Sequence, residues 1–171
     1  MLEIINFIDA LQPCFALQSD NQMGVSKEWF TKKWPFQLAY RGELAELTEH
    51  MNVWWWRNAE PNVPQAKLEI IDAMHFAMCY PLQDYLLSGA DLVQQWDDFK
   101  SICYVDLKNN ADTFTKLSDV KDLPTLIDIV SSIEVSKVSN FSIVMVGLLR
   151  LFQNIGGDAT EFVNLFIGKN A

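Results

Sequence analysis

The sequence is poor in the residues that most soft metal sites and disulfide scaffolds require. It has two histidines and three cysteines, with no CxxC pair and no zinc-like Cys/His set. Cys14, Cys79 and Cys103 lie far apart in a chain long enough to fold without staples, so reduced thiols in a cytoplasmic setting are expected. Basic residues are also few: 13 against 22 acidic, a net charge of −9. Such a surface repels a phosphodiester backbone and argues against sequence-independent binding to DNA or RNA polymers. A divalent metal can still bring phosphate esters to an acidic protein by reversing the local charge. No uncharged run suits a membrane span, since the most apolar stretch, 143–152, is short and carries Arg150. The first ten residues bear acids where a secretory signal carries bases, so a soluble protein with no membrane partner is expected. Glycine, proline and serine cluster nowhere densely enough to divide the chain, and no pair of alternating strands is evident.

Half of the 171 residues are hydrophobic, enough for one domain over 1–171 with a sizeable core. The apolar spacing predicts an all-α helical bundle. Helices are expected over about 2–18, with a kink or break at Pro13, and over 35–57 and 64–87. Others are expected over 91–105, 124–134, 140–154 and 158–167. The stretch 22–33 reads as a loop, and 108–123 as a loop or short helix. The connector at 58–64 holds two prolines, which end one helix and open the next.

Two of these helices carry paired acids. Glu43 and Glu46 stand three residues apart, and Glu69, Asp72 and His75 follow each other at the same step. Residues so spaced share one helical face. Acid pairs of this kind are ordinarily solvated surface. Here Leu44, Ala45 and Leu47 crowd the first pair, and Leu68, Ile70, Ile71, Met74 and Phe76 crowd the second. Acids embedded in so much apolar sequence would lie partly inside, where unpaired charge is costly. If the faces meet, four carboxylates converge and need cations. Hard oxygen donors suit Mg²⁺, which can clamp a polyphosphate and activate water. A carboxylate not fully committed to metal could act as general base, which makes Glu46 and Glu43 the candidates for catalysis.

An ExxE stretch followed at this distance by ExxD resembles the all-α NTP pyrophosphatase superfamily. That group includes the MazG-type enzymes, the dimeric dUTPases and the phage dCTP/dUTP pyrophosphatases. The likeness is greatest to the dimeric dUTPase branch. It is carried by Glu43-Leu44-Ala45-Glu46-Leu47, by Val53-Trp54-Trp55-Trp56-Arg57, by Glu69-Ile70-Ile71-Asp72-Ala73-Met74-His75-Phe76, and by Gly168-Lys169-Asn170. The resemblance implies Mg²⁺ ligation by Glu43, Glu46, Glu69 and Asp72. It also implies a phosphate contact from Lys169 and a polar role near the nucleotide for Asn170. An early family motif supplies a glutamine and an asparagine from the first helix; Gln18 with Gln22 is the preferred match, though Leu11-Gln12 also fits its beginning. The family's lysine within the tryptophan segment is absent, leaving Arg57 as that segment's only base. The branch continues past G-K-N with a phosphate-closing loop, whereas this sequence stops at Ala171, so its motif is either shortened or lacks a tail.

The resemblance implies Mg²⁺-dependent hydrolysis of a pyrimidine deoxynucleoside triphosphate, dUTP before dCTP, to the monophosphate and pyrophosphate, by a homodimer. If attack falls on the β-phosphorus, dUDP would be accepted too. The alternatives are a MazG-like pyrophosphohydrolase of broader specificity and a non-catalytic all-α interaction protein. His75 is expected either to orient a ligand and touch the pyrimidine edge or to be a satisfied core residue; His50, without supporting context, is expected at the surface. Three successive tryptophans cannot face one way on a helix. One or two would pack in the core or a dimer interface, and Trp56, aligned with the family's later tryptophan, would border the base. Trp29 and Trp34 read as packing residues, and 143–152 as core or subunit interface.

Overall fold

A computed structural model describes residues 2–89 and 91–169. Its α-helices are α1 (Leu2–Ala10), α2 (Gln12–Val25), α3 (Phe36–His50), α4 (Val63–Ser88), α5 (Leu92–Asn109), α6 (Ala111–Asp119), α7 (Leu123–Ser132), α8 (Phe141–Asn154) and α9 (Ala159–Lys169). Short 3-10 turns lie at Trp29–Thr31 and Val138–Asn140, and the described residues contain no strand. Among them, no single helix is long and apolar enough to cross a membrane.

Local chemistry explains most of the boundaries. The break at Leu11 falls just before Pro13, which sits in the first turn of α2, where its missing N–H costs nothing. The loop expected over 22–33 is shorter than that, because α2 continues through Val25. Asn62 accepts a hydrogen bond from the Gln65 N–H at the start of α4, and Gly89 (φ 72°) closes its far end in the left-handed region. Asp122 caps α7 by accepting from the Thr125 N–H at 2.9 Å. The polar stretch 108–123 is mostly helical because Phe114 and Leu117, three apart, are both buried.

The helix expected over 35–57 stops at His50. Asn52 takes φ 50°, its N–H bonds the Glu49 carbonyl, and the Val53 N–H reaches back to Thr48. This is a Schellman ending with asparagine in the left-handed position. Trp54, Trp55 and Trp56 therefore leave the helix, and the directional limit that a helix would impose on them does not apply.

Helix α8 is apolar nearly all round, and residues Val144–Leu149 are all buried, as a central helix requires. Its neighbours are α4, α5, α6, α7 and α9. Phe152 of α8 meets Phe162 of α9 at 5.1 Å, and Phe162 meets Phe7 of α1 at 5.2 Å. The stretch 143–152 is thus core. Trp29 is fully buried and Trp34 partly so.

Helices α3 and α4 run antiparallel. The start of α3 meets the middle of α4, with Phe36 5.7 Å from the Tyr80 ring and the Gln37 N–H donating to the Tyr80 hydroxyl. The end of α3 meets the start of α4, where the Asn62 N–H donates to the His50 carbonyl. The Tyr40 hydroxyl donates to the Val130 carbonyl at 2.9 Å and ties α3 to α7 on its other side.

The chain bends by 103° between the α8 and α9 segments, with Gly156 at φ 86°. A Cβ on Gly157 would stand 2.2 Å from the Phe152 ring. Because Phe152 is fully buried, its ring has little room to yield. Gly157→Ala should therefore cost about 1–3 kcal/mol as an overpacking substitution. Urea unfolding would measure it; an unchanged midpoint would show that the ring can move aside.

Candidate active site

The antiparallel pair sets two acidic faces against each other. Oxygen atoms of Glu43, Glu69 and Asp72 all lie within 4.8 Å of one another. Ligand atoms of Glu46, His50 and Glu69 form a second group of the same tightness, so Glu69 belongs to both. Glu69 is only 4 % exposed, and Gln65, one turn earlier on α4, donates to its Oε1 at 2.6 Å. The four acids singled out in the sequence are thus brought together by α3 and α4.

His50 was expected at the surface, yet its Nε2 stands 3.2 Å from Glu69 Oε1. The signal was its register: His50 follows Glu46 by four and Glu43 by seven, so all three share one face of α3. Gln65 escaped notice for a similar reason, standing four before Glu69.

Helix α9 closes the side of the cluster. Its Phe166 ring lies 4.0 Å from the His75 ring, and Lys169, one turn on, pairs with Asp72 Oδ2. Asp72 Oδ1 is 3.2 Å from His75 Nδ1. The i,i+3 pair Asp72 and His75 on α4 is thereby met by the i,i+3 pair Phe166 and Lys169 on α9. Lys67 anchors the same helix through Glu161 at 2.7 Å. Asn170 lies outside the described residues.

Gln18 is buried, and its Nε2 donates to Cys79 Sγ at 3.4 Å; that thiol donates to the His75 carbonyl at 3.3 Å. Gln18 thus lies behind His75, and Gln22, half-buried, is one turn further along α2. All three cysteines are free and buried, and burial pushes their thiols up to about 12.

Trp56 is placed elsewhere. With Trp54 and Trp55 it lines a groove of about 670 Å³ between α3 and α7, floored by Leu44, Thr48 and Ile127. Trp54 and Trp56 stack at 4.9 Å. The α3 residues facing this groove are Arg41, Leu44, Ala45 and Thr48. At about 100° per residue they point roughly opposite to Glu43, Glu46 and His50. The structure therefore does not bring Trp56 and the carboxylates together.

The cluster's electrostatics follow from burial and like charge. The Glu43 carboxyl is pushed up to about 7, first by burial, then by the charges of Asp72, Glu46 and Glu69 and a hydrogen bond shared with Glu69. Burial acts to raise Asp72 too, but hydrogen bonds from His75 and Lys169, with their charge, hold it below the usual carboxylate range. A group of oxygen donors with so much uncompensated negative charge fits a divalent cation.

Carboxylates converging from two antiparallel helices of an all-α chain form a site suited to divalent cations. The match to a family model described as dUTPase, over residues 11–171, shows that the chain belongs to the all-α dUTPase family. No curated protein matches it. Its activity is of the dUTP diphosphatase kind, and the family implies a nucleotide substrate and a divalent metal.

The Glu43 shift has a consequence for stability. Without divalent metal, the native state keeps this proton up to about pH 7, whereas the unfolded chain releases it near 4.5. The stability so gained is complete below about pH 4.5 and fades as pH rises through about 7. Asp72, held low, titrates below its ordinary 3.8 and leaves this window alone. The Tm of metal-free protein should fall from about pH 5 to about pH 8, and Glu43→Gln should flatten that slope. An equal slope in the variant would place the titration elsewhere.

Proposed function

We propose that the protein hydrolyses dUTP to dUMP and pyrophosphate with Mg²⁺, and that Glu43, Glu46, Glu69 and Asp72 hold the metal. The observation that carries this reading is the convergence of those carboxylates on a chain of the dUTPase family. Bound Mg²⁺ would neutralise the cluster, orient the polyphosphate oxygens and activate water.

The side chains divide the remaining work. Glu46 is exposed on α3, where it is open to solvent and able to take a proton from the attacking water. Glu43, the other acid of the α3 pair, is the second candidate for that proton. Lys169 brings an ammonium to the Asp72 edge of the cluster, the place assigned to a phosphate, and Asn170 would follow it. We assign the pyrimidine to the side lined by α2 and α4. There the imidazole of His75 and the amide of Gln22 offer donors and acceptors for a carbonyl-bearing ring edge, with Gln18 backing them through Cys79. Trp56, on the other side of α3, is left out of this set. If attack falls on the β-phosphorus, dUDP would be accepted too.

The same reading includes a homodimer. Trp55 and Trp56 are 90 % and 60 % exposed, and Leu38, on the groove side of α3, is 69 % exposed. An apolar face of this kind suits a subunit interface. Sedimentation equilibrium should give about twice the 19.6 kDa chain mass. Trp55→Asp combined with Trp56→Asp should return the monomer mass, while a dimer that survives would move the interface to another face.

Pyrophosphate release from dUTP, dCTP, dTTP and UTP, with and without Mg²⁺, tests the activity. Release should require Mg²⁺ and be fastest with dUTP, and Glu46→Gln should lower kcat by at least about a hundredfold. Comparable dCTP turnover would remove the uracil preference. No release from any of the four would remove the reaction.

A further inference from the structure

The two ligand groups in the carboxylate cluster are not chemically alike. The inner one, Glu43 with Glu69 and Asp72, offers oxygen alone, whereas the outer one, Glu46 with His50 and Glu69, includes an imidazole. We infer that His50 is a nitrogen ligand in a second cation position, which favours a first-row transition ion such as Mn²⁺ or Co²⁺ over Mg²⁺.

Geometry supports this in three ways. His50 Nε2 is already 3.2 Å from the buried Glu69 oxygen, so an ion bound by both would need only a local adjustment. The backbone that carries His50 is held at both ends of its neighbourhood, by the Asn62 N–H on its carbonyl at 2.7 Å and by the left-handed Asn52 two residues on. Glu69 belongs to both groups, and a shared carboxylate is how two cations are kept close enough to act on one polyphosphate. Ligation through Nε2 places the imidazole proton on Nδ1.

The metal preference follows from donor chemistry. Mg²⁺ takes oxygen in octahedral geometry and keeps its waters, whereas imidazole raises affinity along the series from Mn²⁺ towards Co²⁺ and beyond. The inner group keeps the hard-cation character on which the proposed hydrolysis rests, and this inference rests on the same metal-binding reading of the cluster.

Pulsed EPR on the full chain with Mn²⁺ alone, without nucleotide, tests it directly, because a coordinated imidazole imprints a ¹⁴N modulation on the manganese signal. The modulation should be present in the wild type, absent in His50→Gln and retained in His75→Gln. His50→Gln keeps an amide able to bond Glu69, so its Tm should stay near that of the wild type while Mn²⁺ affinity at this position falls about 10–100-fold. Bound Mn²⁺ without ¹⁴N modulation, or a modulation that survives in His50→Gln, would overturn the role of His50 alone. Failure to bind Mn²⁺ at all would remove the metal reading and this inference with it.

Discussion

Repulsion between like charges, held in check by the packing of α3 on α4, is the constraint on which the rest of the structure depends. Two carboxylates about 4 Å apart near a protein surface repel by about 4 kcal/mol. Against this stand Phe36 and Leu47 on α3 and Ile70, Ala73, Met74 and Ala77 on α4, all buried, with the Phe36 ring against Tyr80. Each large apolar side chain so buried contributes about 1.5–3 kcal/mol. A handful of them outweighs the repulsion within one such pair. Burial, with the remaining repulsion, raises the Glu43 carboxyl to about 7.

The same packing gives α3 two unlike sides. One carries Glu43, Glu46 and His50 towards α4; the other carries Arg41, Leu44, Ala45 and Thr48 towards α7 and the tryptophans. Asn52 makes the second side possible. By ending the helix in the left-handed region it frees Trp54 and Trp56 to stack on each other over the groove. A helix continuing to Arg57 would have spread the three rings around its axis.

Helix α9 supplies what neither acidic helix can, a cation at the edge of the cluster. The bend at Gly156, and the absence of a side chain at Gly157 over Phe152, set its direction. Phe166 then seats on His75 and Lys169 on Asp72. Glu161 pairs with Lys67 to hold the first turn of α9 against α4. The surroundings of the acidic cluster at residues 43–75 thus depend on a bend more than eighty residues further along the chain.

The all-α class, most helix positions and the four acids were legible in the sequence by itself. They follow from periodicity: a step of three puts Glu43 with Glu46 and Glu69 with Asp72 on one face whatever the rest of the chain does. The Glu–Leu–Ala–Glu–Leu, tryptophan and Asp–x–x–His–Phe stretches were enough to name the family that the match over 11–171 establishes. Tertiary structure decided what periodicity cannot express. It placed His50 inside the cluster, because that depends on which helix faces it and not on its own neighbours. It set Trp56 apart from the acids, because one left-handed asparagine redirected the chain. It also drew Lys169 to Asp72 across 97 positions of sequence. Local spacing determines which face a side chain shares, but only the packing of distant helices determines what that face meets.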